Sequence, residues 1–512
     1  MLNLATILRS SAQRTPDKTA AIIGDVETSY AQLHAQSQRF AGALAKLDVR
    51  PGQHVALMLP NVPQFTIAYF GALYAATPVV PLNILLTSDE IAHQLDDSDA
   101  VALVVWAGYY RAAKAGALRA ERCKHLIVVS SSSDECALDE GELDFDSLLA
   151  MAEPMRDLAP TSPNDTAVIL YTSGTTGQPK GAELTHFSMF YNAEYAGTKL
   201  LPPMSDAVAL ATLPLFHSFG QTSVQNATLL QGGTLVFLPK FEARVACELM
   251  AKHKVTHFAG VPTMYSAMLN DPEASQYDLS SLKYALSGGD AMPVAVIERF
   301  QTKHRVTVLE GYGTSETSPV ASFNVLSRAT KPGSIGLPLA HVEFKLVDDM
   351  GGEILRPGEP GELCIKGVNV MKGYYKEPKA TDRAIKHGWF YTGDVAQRDD
   401  DGYYFIVGRI KDMIIRGGFN VYPREIENVL HRHPAVREAA VIGIEHATHG
   451  QEIKAVLVLE NDSYVTSEQL IAYCKEHLAA YKYPRVIEFR AELLPRGLKG
   501  QVLKGELGAT AA

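Results

Sequence analysis

Eleven consecutive residues, Tyr171-Thr172-Ser173-Gly174-Thr175-Thr176-Gly177-Gln178-Pro179-Lys180-Gly181, hold the densest chemistry in the chain. Glycines let backbone N–H groups converge on an anion, hydroxyls add neutral donors, and Lys180 supplies a point charge that phosphate oxygens can meet at any angle. The run reads as a phosphate cradle, with Thr172, Ser173, Gly174, Thr175, Thr176 and Gly177 as binding residues. It is not a Walker A loop, because no Gly-Lys-Ser/Thr triplet stands at the required spacing. A plain surface turn would explain a glycine or a threonine singly, but not an uninterrupted run.

A second cluster, Glu310-Gly-Tyr312-Gly313-Thr314-Ser-Glu316-Thr, places an aromatic face, hydroxyls and a carboxylate within seven residues. An aromatic ring can carry a purine, hydroxyls can meet phosphate oxygens, and a carboxylate can hold Mg²⁺. Both clusters need strands to position them. Thr166 to Tyr171 is a short buried strand leading into the cradle. Upstream, Val55 to Leu59, Val79 to Leu82, Ala102 to Trp106 and Leu126 to Val129 alternate with helix-length patterns such as Ser88 to Leu95, which predicts α/β layers with largely parallel sheets. Downstream, Ala207 to Pro214 is a strand, Thr256 to Tyr265 a strand running into a helix, and Lys283 to Asp290 a strand running into a glycine loop. Ser130 to Glu142, rich in Ser, Asp and Glu, reads as a mobile surface loop.

With 512 residues, 46% of them hydrophobic, the chain has room for two or more domains with sizeable cores. The formal charge of -10, from 47 basic and 57 acidic side chains, argues against a general nucleic-acid surface, so anionic substrates need a local basic site. Cysteines 123, 136, 247, 364 and 474 are scattered without metal-ligand spacing, as expected of reduced thiols in the cytoplasm. No secretory signal is seen. Phe65 to Leu82 is uncharged, but Gly71, Pro78 and Pro81 interrupt it, so a buried helix followed by a strand is expected rather than a membrane span.

The cradle and the motifs after it resemble those of the adenylate-forming superfamily, which comprises acyl-CoA synthetases, peptide-synthetase adenylation domains and luciferases. The resemblance covers nearly the whole chain and is strongest to fatty-acid and coumarate-type CoA ligases. It implies that Tyr312 packs on adenine, Thr314 meets the α-phosphate and Glu316 coordinates magnesium. Gly288, Gly289 and Asp290 fall where the family lets adenine approach the backbone. His217, in Leu215-Phe-His-Ser-Phe-Gly220, falls beside the acyl carboxylate. Asp394, in Trp389-Phe-Tyr-Thr-Gly-Asp394, inherits the ribose hydroxyls, and Arg409 turns its permanent charge toward ribose or phosphate. Lys411 matches the hinge, Gly418 belongs to the loop that turns toward the pantetheine tunnel, and Lys482, in Tyr481-Lys-Tyr-Pro-Arg485, lies where synthetases hold the CoA nucleotide.

One position departs from the pattern. Where the family's last motif ends in a catalytic lysine, this chain reads Pro495-Arg-Gly-Leu-Lys499-Gly500-Gln501. Gln501 can donate hydrogen bonds but brings no charge, and losing one well-aimed stabilising group typically slows a reaction on the order of a hundred- to thousand-fold. The expectation is an α/β protein. Residues 1–410 form a large N-terminal domain of layered α/β subdomains, and residues 411–512 form a small mobile α+β C-terminal domain. The expected activity is an ATP-, Mg²⁺- and coenzyme A-dependent carboxylic acid:CoA ligase working through an acyl-adenylate, on a medium or long fatty acid or an arylacrylic acid. A non-CoA acceptor, giving an amide or lactone, and an adenylation-impaired binder are the alternatives. The expected assembly is a monomer or homodimer.

Overall fold

The computed structural model describes residues 2–130, 137–172, 179–201, 206–416, 419–446, 450–461, 463–497 and 502–508. Residues 131–136 of the serine-rich loop therefore lie outside the described residues.

Two large sheets carry the N-terminal part. In the first, Thr19–Ile23, Thr234–Phe237, Val208–Ala211, His257–Gly260, Tyr284–Ser287 and Thr307–Gly313 run parallel in that spatial order. The antiparallel strands Val320–Phe323 and Leu337–Pro338 extend one end. In the second, Leu143–Asp144, His125–Val129, Ala100–Trp106, His54–Met58, Val79–Pro81 and Thr166–Thr172 are parallel, and Lys180–Thr185 and Gly373–Tyr374 follow antiparallel. These strands are apolar runs covered on both faces, the usual habit of parallel sheets. His54–Met58, for example, is buried at every position.

The helix Pro63–Tyr74 is buried at every residue except Gln64, so it shows no polar stripe. It is followed by the strand Val79–Pro81, as its sequence predicts. Capping sets the neighbouring helix starts. Ser29 and Gln32 exchange side-chain and backbone bonds before Tyr30–Lys46, and Thr87 and Glu90 do the same before Ser88–Asp97.

Residues 342–409 correct the expectation of largely parallel sheets, because all six strands of this third sheet pair antiparallel. Tight Asx turns account for two of these pairings. Asp348 accepts from the amides of Met350 and Gly352 at 2.9 and 2.7 Å, and Asp399 accepts from those of Asp401 and Tyr403 at 3.0 and 2.8 Å. Turns this short leave no room for the crossover that a parallel pair requires.

After the single 3₁₀ turn Ile410–Asp412, a fourth sheet pairs Phe419–Val421, Ile414–Arg416, Gly450–Leu459 and Val436–His446, with Val486–Arg490 parallel on its flank. The helices Pro423–Leu430 and Ser467–His477 accompany it, giving the expected α+β character. Its two buried clusters draw only on residues beyond 413, whereas one larger cluster runs through the first three sheets. Among the described residues no helix is long and apolar enough to cross a membrane.

Gly336 joins the third sheet to the first. It bridges Tyr404 antiparallel, has φ +79°, and a Cβ there would lie 2.0 Å from the Phe323 carbonyl carbon. Gly336→Ala should cost at least about 2 kcal/mol of stability, checked as a lower urea midpoint for the N-terminal part.

Candidate active site

A cavity of about 1060 Å³ opens where parallel strands of both large sheets end. Thr172 closes Thr166–Thr172, Gly288 and Gly289 follow Tyr284–Ser287, Tyr312 and Gly313 close Thr307–Gly313, and Val261 follows His257–Gly260. The carboxyl ends of parallel strands are where open α/β sheets place ligands.

One half of the cavity is polar. The antiparallel register sets Thr172 opposite Lys180, so the cradle's two flanks face each other across a hairpin. Tyr374 pairs with Ala182 on the next strand, which brings its ring to 5.5 Å from Lys180 Nζ. The Tyr374 hydroxyl donates to Glu316 Oε1 at 3.0 Å, and the Thr172 hydroxyl lies 3.5 Å from the same oxygen. Burial, and then the Glu316 charge, push the Tyr374 phenol well above its ordinary pKa, so it stays a donor. Glu316 is held from behind as well, since Met371 N–H donates to its carbonyl at 2.7 Å. Among the described residues no group of three or more His, Cys, Asp or Glu could cage a metal ion. A cation at Glu316 would complete its shell with phosphate oxygens and water, the habit of Mg²⁺.

Deeper in the same half, the Tyr312 hydroxyl donates to Asp394 Oδ2 at 2.6 Å and Arg409 Nε donates to Oδ1 at 2.9 Å. Each carboxylate oxygen keeps a lone pair for a further donor. Burial raises the Tyr312 phenol far above its ordinary pKa, with the Asp394 charge acting in the same direction. Gly313 has to be glycine, because a Cβ there would fall 1.8 Å from the Pro319 carbonyl oxygen.

The other half is apolar, lined by Leu213, Phe219, Phe241, Val261, Met264 and Phe323 among others. His217 stands on its wall with Phe216 tilted against it at 4.8 Å between ring centroids. Buried Asn61 fixes the segment that carries His217. Its amide donates to the carbonyls of Ala211 and Leu213, both at 2.9 Å, and its carbonyl accepts from Leu215 N–H at 2.9 Å. The following residues, Gly220–Asn226, form a π-helix, a feature frequent at functional sites. It is moored by the Thr66 hydroxyl donating to Gln225 at 2.7 Å.

Residues 8–375 match the family described as AMP-binding enzyme, and residues 425–500 match its C-terminal domain. The chain belongs to the AMP-binding enzyme family. It is 35% identical to a long-chain-fatty-acid–CoA ligase of Bacillus subtilis (strain 168), over 98% of this chain and 94% of that one. It is 38% identical to a feruloyl-CoA synthase of an Amycolatopsis species, over 97% and 96% of the two chains. The crystal structure of the anthranilate CoA ligase AuaEII in complex with anthranoyl-AMP superposes with a TM-score of 0.90 at 29% identity, covering 99% of this chain and 96% of that one.

In this AMP-binding enzyme the cavity brings together Thr172, Lys180, His217, Gly289, Tyr312, Gly313, Thr314, Glu316, Asp394, Arg409 and the hinge candidate Lys411. Two candidates are not on its wall. Asp290 is exposed and folds back to accept from the N–H of Ala291 at 2.8 Å. A side chain so placed caps its own loop, so adenine would meet the bare Gly288-Gly289 backbone. Lys482 gives its ammonium to both Glu425 oxygens at 2.8 Å. Ser173, Gly174, Thr175, Thr176, Gly177, Gly418 and Gln501 lie outside the described residues. Lys504, the lysine nearest Gln501 on its C-terminal side, is ion-paired with Glu427 at 2.7 Å and is thereby held to its own domain.

The sequence reading missed Tyr374, Arg383 and Lys386 on the wall. Gly373-Tyr374-Tyr375 offered a glycine-aromatic signal, but nothing local says that it pairs with a strand nearly two hundred residues earlier. Asn61 was missed too, for want of any motif. Asn61→Ala should leave the Leu213 carbonyl and the Leu215 N–H without that partner, while the Ala211 carbonyl keeps Leu238 N–H at 3.2 Å, and cost about 2 kcal/mol or more, read as a lowered thermal midpoint.

Proposed function

We propose that this AMP-binding enzyme is an ATP-dependent carboxylic acid:CoA ligase that forms an acyl-adenylate and passes the acyl group to the CoA thiol. The observation that carries this reading is the single cavity with two characters. A nucleotide-type half, built from Tyr312, Asp394, Arg409, Lys180 and Glu316, joins an apolar half beside His217.

A carboxylate is a poor electrophile, and bonding it to AMP creates a good leaving group. In the first step a carboxylate oxygen of the acid bonds to the α-phosphorus of ATP while the bond to the β-phosphate oxygen breaks and pyrophosphate departs. Lys180 and Thr314 stand where they can offset the charge that develops on the phosphates. Mg²⁺ held by Glu316 and the phosphates would supply further charge neutralisation, and Tyr374 and Thr172 orient that carboxylate. Asp394 accepts hydrogen bonds from the ribose hydroxyls on its remaining lone pairs, and Arg409 holds it from the other side at 2.9 Å. In the second step the CoA sulfur, having given up its proton, bonds to the acyl carbon and AMP leaves.

The two steps share one cavity by rotation of residues 411–512 about Lys411, which exchanges the loop of Gln501 for that of Gly418. Gly497 already reaches the cavity beside Lys411, which supports an arrangement in which the loop of Gln501 attends the first step. For Lys482 to hold a CoA phosphate it would have to exchange Glu425 for it. The acid is a medium or long fatty acid or an arylacrylic acid, a range that the names of the relatives also span.

Gln501 favours a second reading, impaired adenylation, because no positive charge stands at that position. Adenine, ribose and phosphate contacts all precede Lys411, so calorimetry with ATP and Mg²⁺ should show saturable binding, weakened about tenfold or more in Asp394→Ala. An unaltered chain that bound no ATP would sink the ligase reading. Gln501→Lys should raise acid-dependent pyrophosphate release roughly a hundred-fold and leave acyl transfer from supplied acyl-adenylate to CoA nearly the same. Efficient release by the unaltered chain would instead mean that a neighbour such as Lys499 serves. A failure of both proteins with a broad set of acids would favour the binder.

A further inference from the structure

Behind the apolar half lies a second, smaller cavity of about 200 Å³. It sits between the loop Asn83–Leu85 and the segment that carries Phe216, and it shares Pro214, Phe241 and Met264 with the main cavity. Those three side chains are the partition. We propose that the smaller cavity is a second acyl subsite, which takes the far end of a linear aliphatic acyl chain after Met264 swings aside. The inference rests on the ligase reading and narrows its substrate to unbranched aliphatic acids.

The partition is unequal in stiffness. Pro214 is locked by its ring and Phe241 is a rigid disc, whereas Met264 is unbranched, with three rotatable bonds and a polarisable sulfur that tolerates several packings. Met264 occupies the first turn of the helix Pro262–Asn270 and packs against both of the large buried clusters of the N-terminal part. It can therefore trade one apolar neighbourhood for another without exposing itself to water.

On the far side, Pro60, Ile84, Phe216 and Pro239 offer apolar surface, and the Asn61 amide is already committed to backbone partners. An aromatic acid has no slender tail to thread past Met264, but a polymethylene chain does. The rim residue Leu85 is 61% exposed, so the subsite ends at solvent and not at a wall. Chains longer than the two cavities together should thus be tolerated, with no further gain, and not rejected.

The test uses the full chain and non-hydrolysable acyl-sulfamoyl adenosines of increasing straight-chain length, with affinities measured by calorimetry, which does not depend on Gln501. Affinity should rise about fourfold per methylene buried, continue past the length that fills the main cavity, and then level off. Ile84→Trp, which fills the subsite from its far wall, should lower the ratio of long-chain to short-chain affinity at least tenfold. Met264→Ala, which removes the swinging part of the partition, should raise that ratio. If Ile84→Trp leaves the ratio where it was, or if affinity stops rising once the main cavity is full, the second subsite is refuted while the ligase reading stands. If no analogue binds at any length, the ligase reading falls and the inference falls with it.

Discussion

Asp394 holds three parts of the molecule in one place. Its backbone stands opposite Arg409 in an antiparallel pair of the third sheet, and its side chain takes a proton donor from Arg409 and another from Tyr312, which closes the last parallel strand of the first sheet. The carboxylate is almost inaccessible, at 6% exposure, and such a charge is tolerable only when hydrogen-bonded and paired. Two sheets with different strand directions are thereby fixed to each other at the nucleotide half of the cavity. Arg409 is also the last residue before the 3₁₀ turn that leads to the C-terminal part. The carboxylate proposed for the ribose and the residue that leads into the proposed hinge are thus two ends of one ion pair.

What was legible in the sequence was what is local. The cradle and the Tyr312-to-Glu316 cluster each compress a donor set into a few residues, so their chemistry can be read without knowledge of the fold, whereas Thr-Gly-Asp394 is weak alone and takes its reading from the family resemblance. The alternation of short apolar runs with helix-length segments gave the layered α/β architecture for the same reason. Pairings made at long range were not legible. Tyr374 reaches Glu316 only because its two-residue strand adds to Lys180–Thr185, and Asn61 reaches Ala211, Leu213 and Leu215 only because two sheets are stacked. The antiparallel third sheet was hidden because strand direction is set by turn length, and the Asx turns of Asp348 and Asp399 look like ordinary polar loops. Asp290 and Lys482 stand off the cavity wall, with Ala291 N–H and Glu425 as their partners.

Several cations of the C-terminal part are paired with its own carboxylates. Lys482 meets Glu425, Lys504 meets Glu427, Arg416 meets Glu452 and Lys454 meets Glu488. Arg416 and Glu452 are both nearly buried, and removing one partner of such a pair leaves a costly unpaired charge. These pairs keep the small sheet and its helices coherent as a body.

The hairpin register that sets Thr172 opposite Lys180 has a bearing on how the protein tolerates change. Both flanks of the cradle are clamped by ladder bonds, so the positions of its two anchors are set by the strands. A one-step slip in the ladder itself would turn Lys180 and every other side chain of its strand to the opposite face of the sheet. Divergence in this region is thus channelled: whatever else changes, parity in the two strands cannot.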